Sequence, residues 1–487
     1  MNFIRAKYVL PISDTLGRDT RIQDGYVLYK ENKIVEVGAY SDAIGQRILN
    51  EFSPLSVSGL NKEKAQSLED LVCLPGVLLP GFIKAHGHDH ESPIIGIVKD
   101  VPLTLWLDGA VNIFTRFLEE EGKRIQPHLR FSPHLTTYLK ARLDDIHYGI
   151  TSCLVHHCGY NKYHVSEIVQ ANEKAHTRMI VAVGSQDRNY YDKVLDKDPL
   201  LVVKRMDEYR KEFSHFSRCG IIPGPDQFFS NGPELLKALK QWADKNETLI
   251  HIHSAEEYET TQWFNKKYGM TTIEYANSIG FLGPKTILAH QVHCTDYELE
   301  LLQKTGSKVV HNPLANTILG SGMPPIPKML EMGIKVAIST DGSGSADNQN
   351  ILSAARLASQ YQKALYRDAR ILPAQKVLEM ITIEPAQMLG LNAGSLEPGK
   401  DADIILIDLR KPNLTPSKIT NVVENLIWAS DGSEVRYVIA GGKMLKDDYR
   451  FVTLDEKMIL EDVQKLSEML DDYKKEVGSL KGTGANQ

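Results

Sequence analysis

The chain has 487 residues, 42% of them hydrophobic and 24% charged, with a formal net charge of −6. That is the composition of a globular protein long enough for a large domain plus a smaller one, and neither a basic stripe nor an acidic tail marks it for nucleic acid. Five scattered cysteines with no C-x-x-C pair exclude a disulfide framework, and no window is long and apolar enough for a membrane span. The first apolar stretch, MNFIRAKYVLPIS, carries charges where a signal peptide needs an uninterrupted apolar core, so a cytoplasmic protein is expected.

In chain order, residues 1–75 read as short strands. KYVLPIS and GYVLYKENKIVEVGAY alternate apolar and polar residues between turn signals. The more polar stretch 44–70 is expected to be a loop or insertion. From 76 to 395 the rhythm changes: GITSCLVHH, TRMIVAVGS, RCGIIPG, ETLIHIHS, KTILAH, SKVVHNP and KVAIST alternate with helical patterns such as PELLKALKQWADKN. With the strand that ends at His86 they make eight β/α units, the pattern of a TIM barrel. Strands return in 396–450, in DADIILIDL and VRYVIAGGKML, and pair with 1–75 in one composite β domain. Residues 451–487 are a helix and tail. The helix is capped by Thr453-x-x-Glu456 and is apolar along Ile459, Val463, Leu466, Leu470 and Tyr473.

Residues i and i+2 of a strand share a face, so His86 and His88 of PGFIKAHGHDHES point together at the end of the first barrel strand. The fifth strand, LIHIHSAEE, repeats the device with His251 and His253, and Glu256 follows. The sixth ends at His290 and the eighth at Asp341. Active sites of this fold lie at the C-terminal strand ends, and neutral imidazole with carboxylate suits Zn²⁺ and similar divalent ions.

The pieces PGFIKAHGH, HIHSAE, LAHQVHCTDYELELLQKTGSKVVHNPLAN, STDG and GSLEPGKDADIILID resemble the amidohydrolase superfamily, and within it the aminohydrolase and chlorohydrolase branch. The resemblance runs from about 70 to 445 and implies an α/β fold: a distorted TIM (β/α)8 barrel with a small β-sandwich domain formed from both termini. It also implies His86, His88, His253 and Asp341 as metal ligands, Glu256 as proton shuttle, Asp341 as proton acceptor, and His290 as the group holding substrate and attacking water. No lysine stands at the fourth strand, RCGIIPGPDQ, so one divalent ion is expected. Zn²⁺ leads, with Fe²⁺, Mn²⁺ or Co²⁺ as alternatives.

Other residues are left with two readings. His251 is expected as a hydrogen-bonded core histidine and His90 as a loop histidine. His311 is a neighbour of the site, and of His156 and His157 only one can face inward. Trp106 either gates the pocket or packs a lid. Asp226 stands where relatives carry a substrate-contacting histidine. It favours a substrate offering N–H donors or positive charge, unless it only caps a turn. Arg188 is a candidate for an anionic substrate group. The reaction implied is hydrolytic deamination of an amino-substituted nitrogen heterocycle by water activated on the metal. The alternative is displacement of halide, thiol or alkylamine from a triazine- or thiocarbamate-like substrate. The expected partners are a small heterocyclic substrate and further copies of the chain in a homo-oligomer, with neither nucleic acid nor membrane.

Overall fold

The computed structural model describes residues 1–52, 54–57 and 64–483, with side chains to Val477. Eight parallel strands form the centre: β1 (Phe82–Lys84), β2 (Ile150–His157), β3 (Arg178–Ser185), β4 (Cys219–Pro225), β5 (Ile250–Ser254), β6 (Thr286–His290), β7 (Lys308–His311) and β8 (Val336–Ile338). They are short apolar runs because both faces are covered, one by the barrel interior and one by helices; every residue of β2 is buried. Leu154, Ile180, Ala182, Ile222, Ile287, Val310 and Ala337 fill the interior. Outside, helices such as Pro233–Lys245 bury one stripe, here Leu235, Leu236, Leu239, Trp242 and Ala243.

The barrel is distorted at two seams. Strands β1–β4 and β5–β8 are two separate four-stranded parallel sheets. Between β4 and β5 the chain makes one bridge, Gln227 with His253. Between β8 and β1 the closure runs through a side chain: the Ser339 hydroxyl donates to the His86 carbonyl at 2.6 Å and accepts from the His86 N–H at 3.1 Å. Both seams lie among the histidines singled out above.

Strands from the two ends of the chain share one nine-stranded sheet. Its junction pairs Cys73–Pro80 antiparallel with Ile404–Asp408, Leu78 opposite Leu406. The sheet closes on its own apolar face, where Val27, Tyr29 and Ile34 meet Ile404, Leu406, Tyr437 and Ile439. The strand Cys73–Pro80 crosses residue 75, so the run LVCLPGVLLPGF is divided at Gly81. Its first part belongs to the terminal sheet and Phe82 starts β1. A side chain at Gly81 would meet Thr151 Oγ1 at 2.3 Å, which is why the turn between the two is glycine.

Two expectations are corrected. The stretch 44–70 contains a helix, Asp42–Glu51, capped by the Ser41 hydroxyl accepting from the Ile44 N–H. Its Ile48 packs on Phe3 and Tyr26, an apolar anchor too brief to show as a periodic pattern. Residues 53 and 58–63 of that stretch lie outside the described residues. The last helix, Glu456–Thr483, is capped by Asp455, whose carboxylate accepts from the Met458 N–H at 3.0 Å. Thr453 instead donates to the Ala175 carbonyl. The expected apolar face is present: Ile459, Leu466, Leu470 and Tyr473 are buried.

Leu466, Leu470 and Tyr473 pack on a cover over the barrel mouth. The cover is built from Leu103–Trp106, one π-helical turn at Leu107–Val111, and the helix Asn112–Ile125. All five cysteines are free thiols. No described helix is long and apolar enough to cross a membrane.

Candidate active site

The strand ends deliver four groups to one point. His88 leaves β1 and donates its Nδ1–H to the His156 carbonyl at 3.0 Å. His253 ends β5 and donates its Nδ1–H to the Asp226 carbonyl at 2.7 Å. With Nδ1 donating, the neutral form of each ring turns an Nε2 lone pair into the site, and the two Nε2 atoms stand 3.1 Å apart. Two lone pairs at that distance repel; a cation between them removes the conflict. His86 Nε2 is buried with no hydrogen-bond partner and lies 3.2 Å from Asp341 Oδ1, which is 3.6 Å from His88 Nε2. Burial among other imidazoles pushes His86 and His88 well below the ordinary histidine range, so both are neutral, as ligation requires. These donors fit a divalent ion.

Behind them runs a row of imidazoles. His86 Nδ1 is 3.1 Å from His251 Nε2, and His251 Nδ1 is 3.1 Å from His156 Nδ1. His156 Nε2 faces Asp226 Oδ1 at 3.7 Å. Two proton arrangements satisfy this row. The one in which each ring donates toward Asp226 leaves His86 Nε2 as a lone pair, the form in which a ligating histidine is held by its neighbour. His251 is thus the hydrogen-bonded core histidine expected. Of the pair on β2, His156 faces inward and His157 packs outward against Tyr138.

A second support went unread in the sequence. Gln349 donates to the Asp341 carbonyl at 3.0 Å and accepts from Thr340 and Lys84. Lys84 pairs with Asp145 at 2.8 Å, and Arg142 bridges Asp145 and Asp89. Asp89 of HGHDHES belongs to this buried ion network and not to the cavity. The lysine in the apolar strand FIKAH was the available signal, because a buried ammonium demands partners.

His290 ends β6 and Asp341 follows β8 by three residues, with φ of +74° and +73°, and Ala255 and Gln291 share the left-handed region. Such backbone costs about 1–3 kcal/mol per residue and concentrates where geometry is imposed for function. Asn316 donates to His290 Nδ1 at 2.9 Å, so the His290 proton is on Nε2. That N–H lies 3.5 Å from Glu256 Oε2 and 3.6 Å from Asp341 Oδ2. Burial, with Asp341 nearby, pushes the Glu256 carboxyl well above the usual carboxylate range.

The cavity above these groups is lined by His88, His90, Glu91, Cys158, Tyr190, Asp226, Gln227, His253, Glu256, His290, Asp341 and Ser345, and roofed by Leu103, Trp106, Leu107, Val111 and Leu319. Its volume is about 40 Å³, space for a few waters. Trp106 lines the cavity and packs in the cover's core. Asp226 caps no helix; it accepts from the Tyr190 hydroxyl at 2.6 Å. His90 lines the cavity, contrary to its loop reading. Glu91, which sequence reasoning passed over, accepts from the Ser345 N–H and hydroxyl, both at 3.0 Å, and is pushed up to about 8 by burial and Asp341. Cys158 and Tyr190 were also missed, although Cys158 stands two residues past the inward-facing His156, just beyond the end of β2. Arg188 is not brought to the cavity. Its guanidinium pairs with Asp187 at 2.8 Å, a carboxylate that also accepts from the Gly232 N–H. His311 is buried next to Val310 of the interior and does not line the cavity.

Known proteins share both sequence and fold with this chain. A 5'-deoxyadenosine deaminase of Methanothermobacter thermautotrophicus is 30% identical over 389 residues, 79% of this chain and 85% of its own length. A 5-methylthioadenosine/S-adenosylhomocysteine deaminase of Thermococcus sibiricus is 30% identical over 428 residues, 87% of this chain and 93% of its own. Among solved structures, an adenosine deaminase of Xanthomonas campestris with bound zinc superposes with a TM-score of 0.82 at 21% identity, covering 97% of this chain and 98% of that one. An atrazine chlorohydrolase of Arthrobacter aurescens complexed with zinc gives 0.83 at 22%, covering 96% and 100%. The model of the amidohydrolase family matches residues 77–445, and the chain belongs to that family.

Proposed function

We propose that this protein is a metal-dependent hydrolytic deaminase of an amino-substituted nitrogen heterocycle, an enzyme acting on carbon–nitrogen bonds outside peptides. The observation that carries the site assignment is the convergence of His88 Nε2 and His253 Nε2, 3.1 Å apart, with His86 and Asp341 beside them. In this reading His86, His88, His253 and Asp341 hold one divalent ion of the zinc class. When bound, that ion supplies Lewis-acid activation of water at neutral pH.

The chain's own residues do the rest. Asp341 Oδ2 and His290 Nε2–H face each other across the site, so the carboxylate takes a proton from water while the imidazole donates to the developing oxygen. Glu256 is kept protonated mainly by burial, a cause that persists when a cation offsets the charge of Asp341. It can therefore deliver its proton to the ring nitrogen beside the carbon under attack. The departing amine needs a proton as well, and Glu256 or Asp341 returns one, giving an oxo-heterocycle and ammonia.

The lining contributes four carboxyl groups, Glu91, Asp226, Glu256 and Asp341, and no lysine or arginine. Such a pocket penalises a substrate carboxylate or phosphate and suits amino and ring N–H groups. Adenine-type rings are the first candidates, because the curated relatives named above are deaminases of adenosine derivatives. The test is ammonia release from a panel of aminated purines, pterins, pyrimidines and triazines, with metal content measured in parallel. Ammonia from an aminated ring supports the reading. Release of halide, thiol or alkylamine without ammonia replaces it with the alternative displacement reaction.

A further inference from the structure

Away from the barrel mouth, Glu119, His134 and His164 bring their ligand atoms within 4.8 Å of one another. They come from three elements: the helix Asn112–Ile125 that continues the cover, the helix Pro133–His147, and the N-cap of the helix Val165–Ala175. Glu119 Oε1 lies 2.5 Å from His164 Nε2 and 3.4 Å from His134 Nε2. The two imidazoles stack face to face, centroids 3.5 Å apart and planes 13° apart, so both Nε2 atoms meet the same carboxylate. On the far side of its ring, His164 Nδ1 contacts Glu167 Oε1 at 3.4 Å.

We propose that Glu119, His134 and His164 form a second divalent-metal site of the zinc class, separate from the one at the barrel mouth. Two imidazoles and one carboxylate with a position left for water is a known zinc ligand set. The Glu167 contact supplies what a ligating histidine needs on its other nitrogen, a carboxylate that fixes the ring and its tautomer. Glu119 and His164 are about a quarter exposed, 28% and 20%, which gives an ion a path from solvent. Without metal the same atoms form an ion pair, with His164 raised to about 9 and Glu119 lowered to about 2. The ion displaces the proton that His164 shares with Glu119, so it binds more weakly here than at the mouth. Once bound, it ties the cover's helix Asn112–Ile125 to two helices of the outer barrel layer.

The experiment titrates the holoenzyme, its first metal in place, with zinc by calorimetry and with Co²⁺ by visible absorption. The expected result is a second equivalent, weaker than the first, with an absorption band of tetrahedral or five-coordinate Co²⁺ and a raised Tm. His134→Ala and Glu119→Gln should each abolish the second equivalent while the first equivalent and turnover stay at wild-type level. Two variants are used so that one misfolded chain does not decide the matter. A holoenzyme that takes up no second equivalent at up to about 1 mM zinc overturns the proposal. So does a second equivalent that persists in both variants.

Discussion

Histidines gather in two places in this molecule; at the second, burial lowers His134 as it lowers the mouth rings, and His164 is the ring that is raised instead. At the barrel mouth, His86, His88, His156, His251 and His290 are fully enclosed among other imidazoles and are held neutral, well below the ordinary histidine range. At the outer junction behind the cover, His164 is partly exposed between Glu119 and Glu167 and is held protonated, up to about 9. Where burial outweighs a nearby carboxylate, as it does at His88 beside Asp341, the imidazole stays a neutral lone-pair donor; where carboxylates outweigh desolvation, as at His164, it becomes a cation. The same residue type serves as ready ligand in one place and as half of an ion pair in the other. The difference lies in which elements bring it there, strand ends in the first case and helix surfaces in the second.

The largest effect expected is at the mouth. His253→Ala should remove the ion and all measurable turnover and leave the circular dichroism spectrum unchanged, because the side chain sits at a strand end above the apolar layers of the barrel. If the variant keeps both metal and activity, the mouth histidines are not the ligands. Glu256→Gln keeps shape and hydrogen bonding and loses proton transfer. General acid–base catalysis is worth roughly 10²–10⁴-fold, so kcat should fall by about that factor at full metal occupancy. Loss of metal in this variant would make Glu256 a ligand and not a shuttle.

The sequence carried most of the mouth because period-two spacing on short apolar strands states which side chains share a face. His251 with His253 followed from strand spacing; His86 and His88 lie just past β1, which ends at Lys84, and still meet at Asp341. The terminal sheet was legible for the same reason. What could not be read came from elements without a short repeat. Glu91 and Tyr190 reach the cavity on loops, and Lys84, Asp89, Arg142, Asp145 and Gln349 meet across as many as 265 residues of chain. The helix Asp42–Glu51 was hidden by its small apolar anchor, and Asp455 took the cap expected of Thr453. Arg188 had its partner beside it in the sequence, Asp187, and the fold pairs the two away from the cavity.

A smaller effect tests whether the mouth's neutrality is built by the imidazole row. His251→Phe fills the space but removes the acceptor for His86 Nδ1–H. Losing such a partner costs about 10–100-fold in metal affinity or activity. Competition with a chelator should show metal binding weakened by that factor, and His251→Gln, whose amide oxygen can accept the same proton, should recover part of it. Unchanged affinity in the phenylalanine variant would reduce the row to packing.

The smallest effect belongs to the outer junction and is read through pH. The folded pKa of His164, about 9, lies above its ordinary 6.5 because Glu119 and Glu167 accept from it, against the pull of desolvation. A group whose pKa is raised by folding binds its proton more tightly in the native state. Its contribution is therefore fully present below about pH 6.5 and is lost as pH rises through about 9. His164→Gln cannot carry the charge at any pH. In urea unfolding of the holoenzyme without added metal, the wild type should exceed this variant in stability at pH 6, and the difference should shrink toward zero above pH 9. The side chain is partly exposed, so solvent screening keeps the difference small. A difference that is the same at both pH values would mean that His164 contributes by packing on His134 and not by charge. The contrast between a neutral mouth and a charged junction would then hold on only one side.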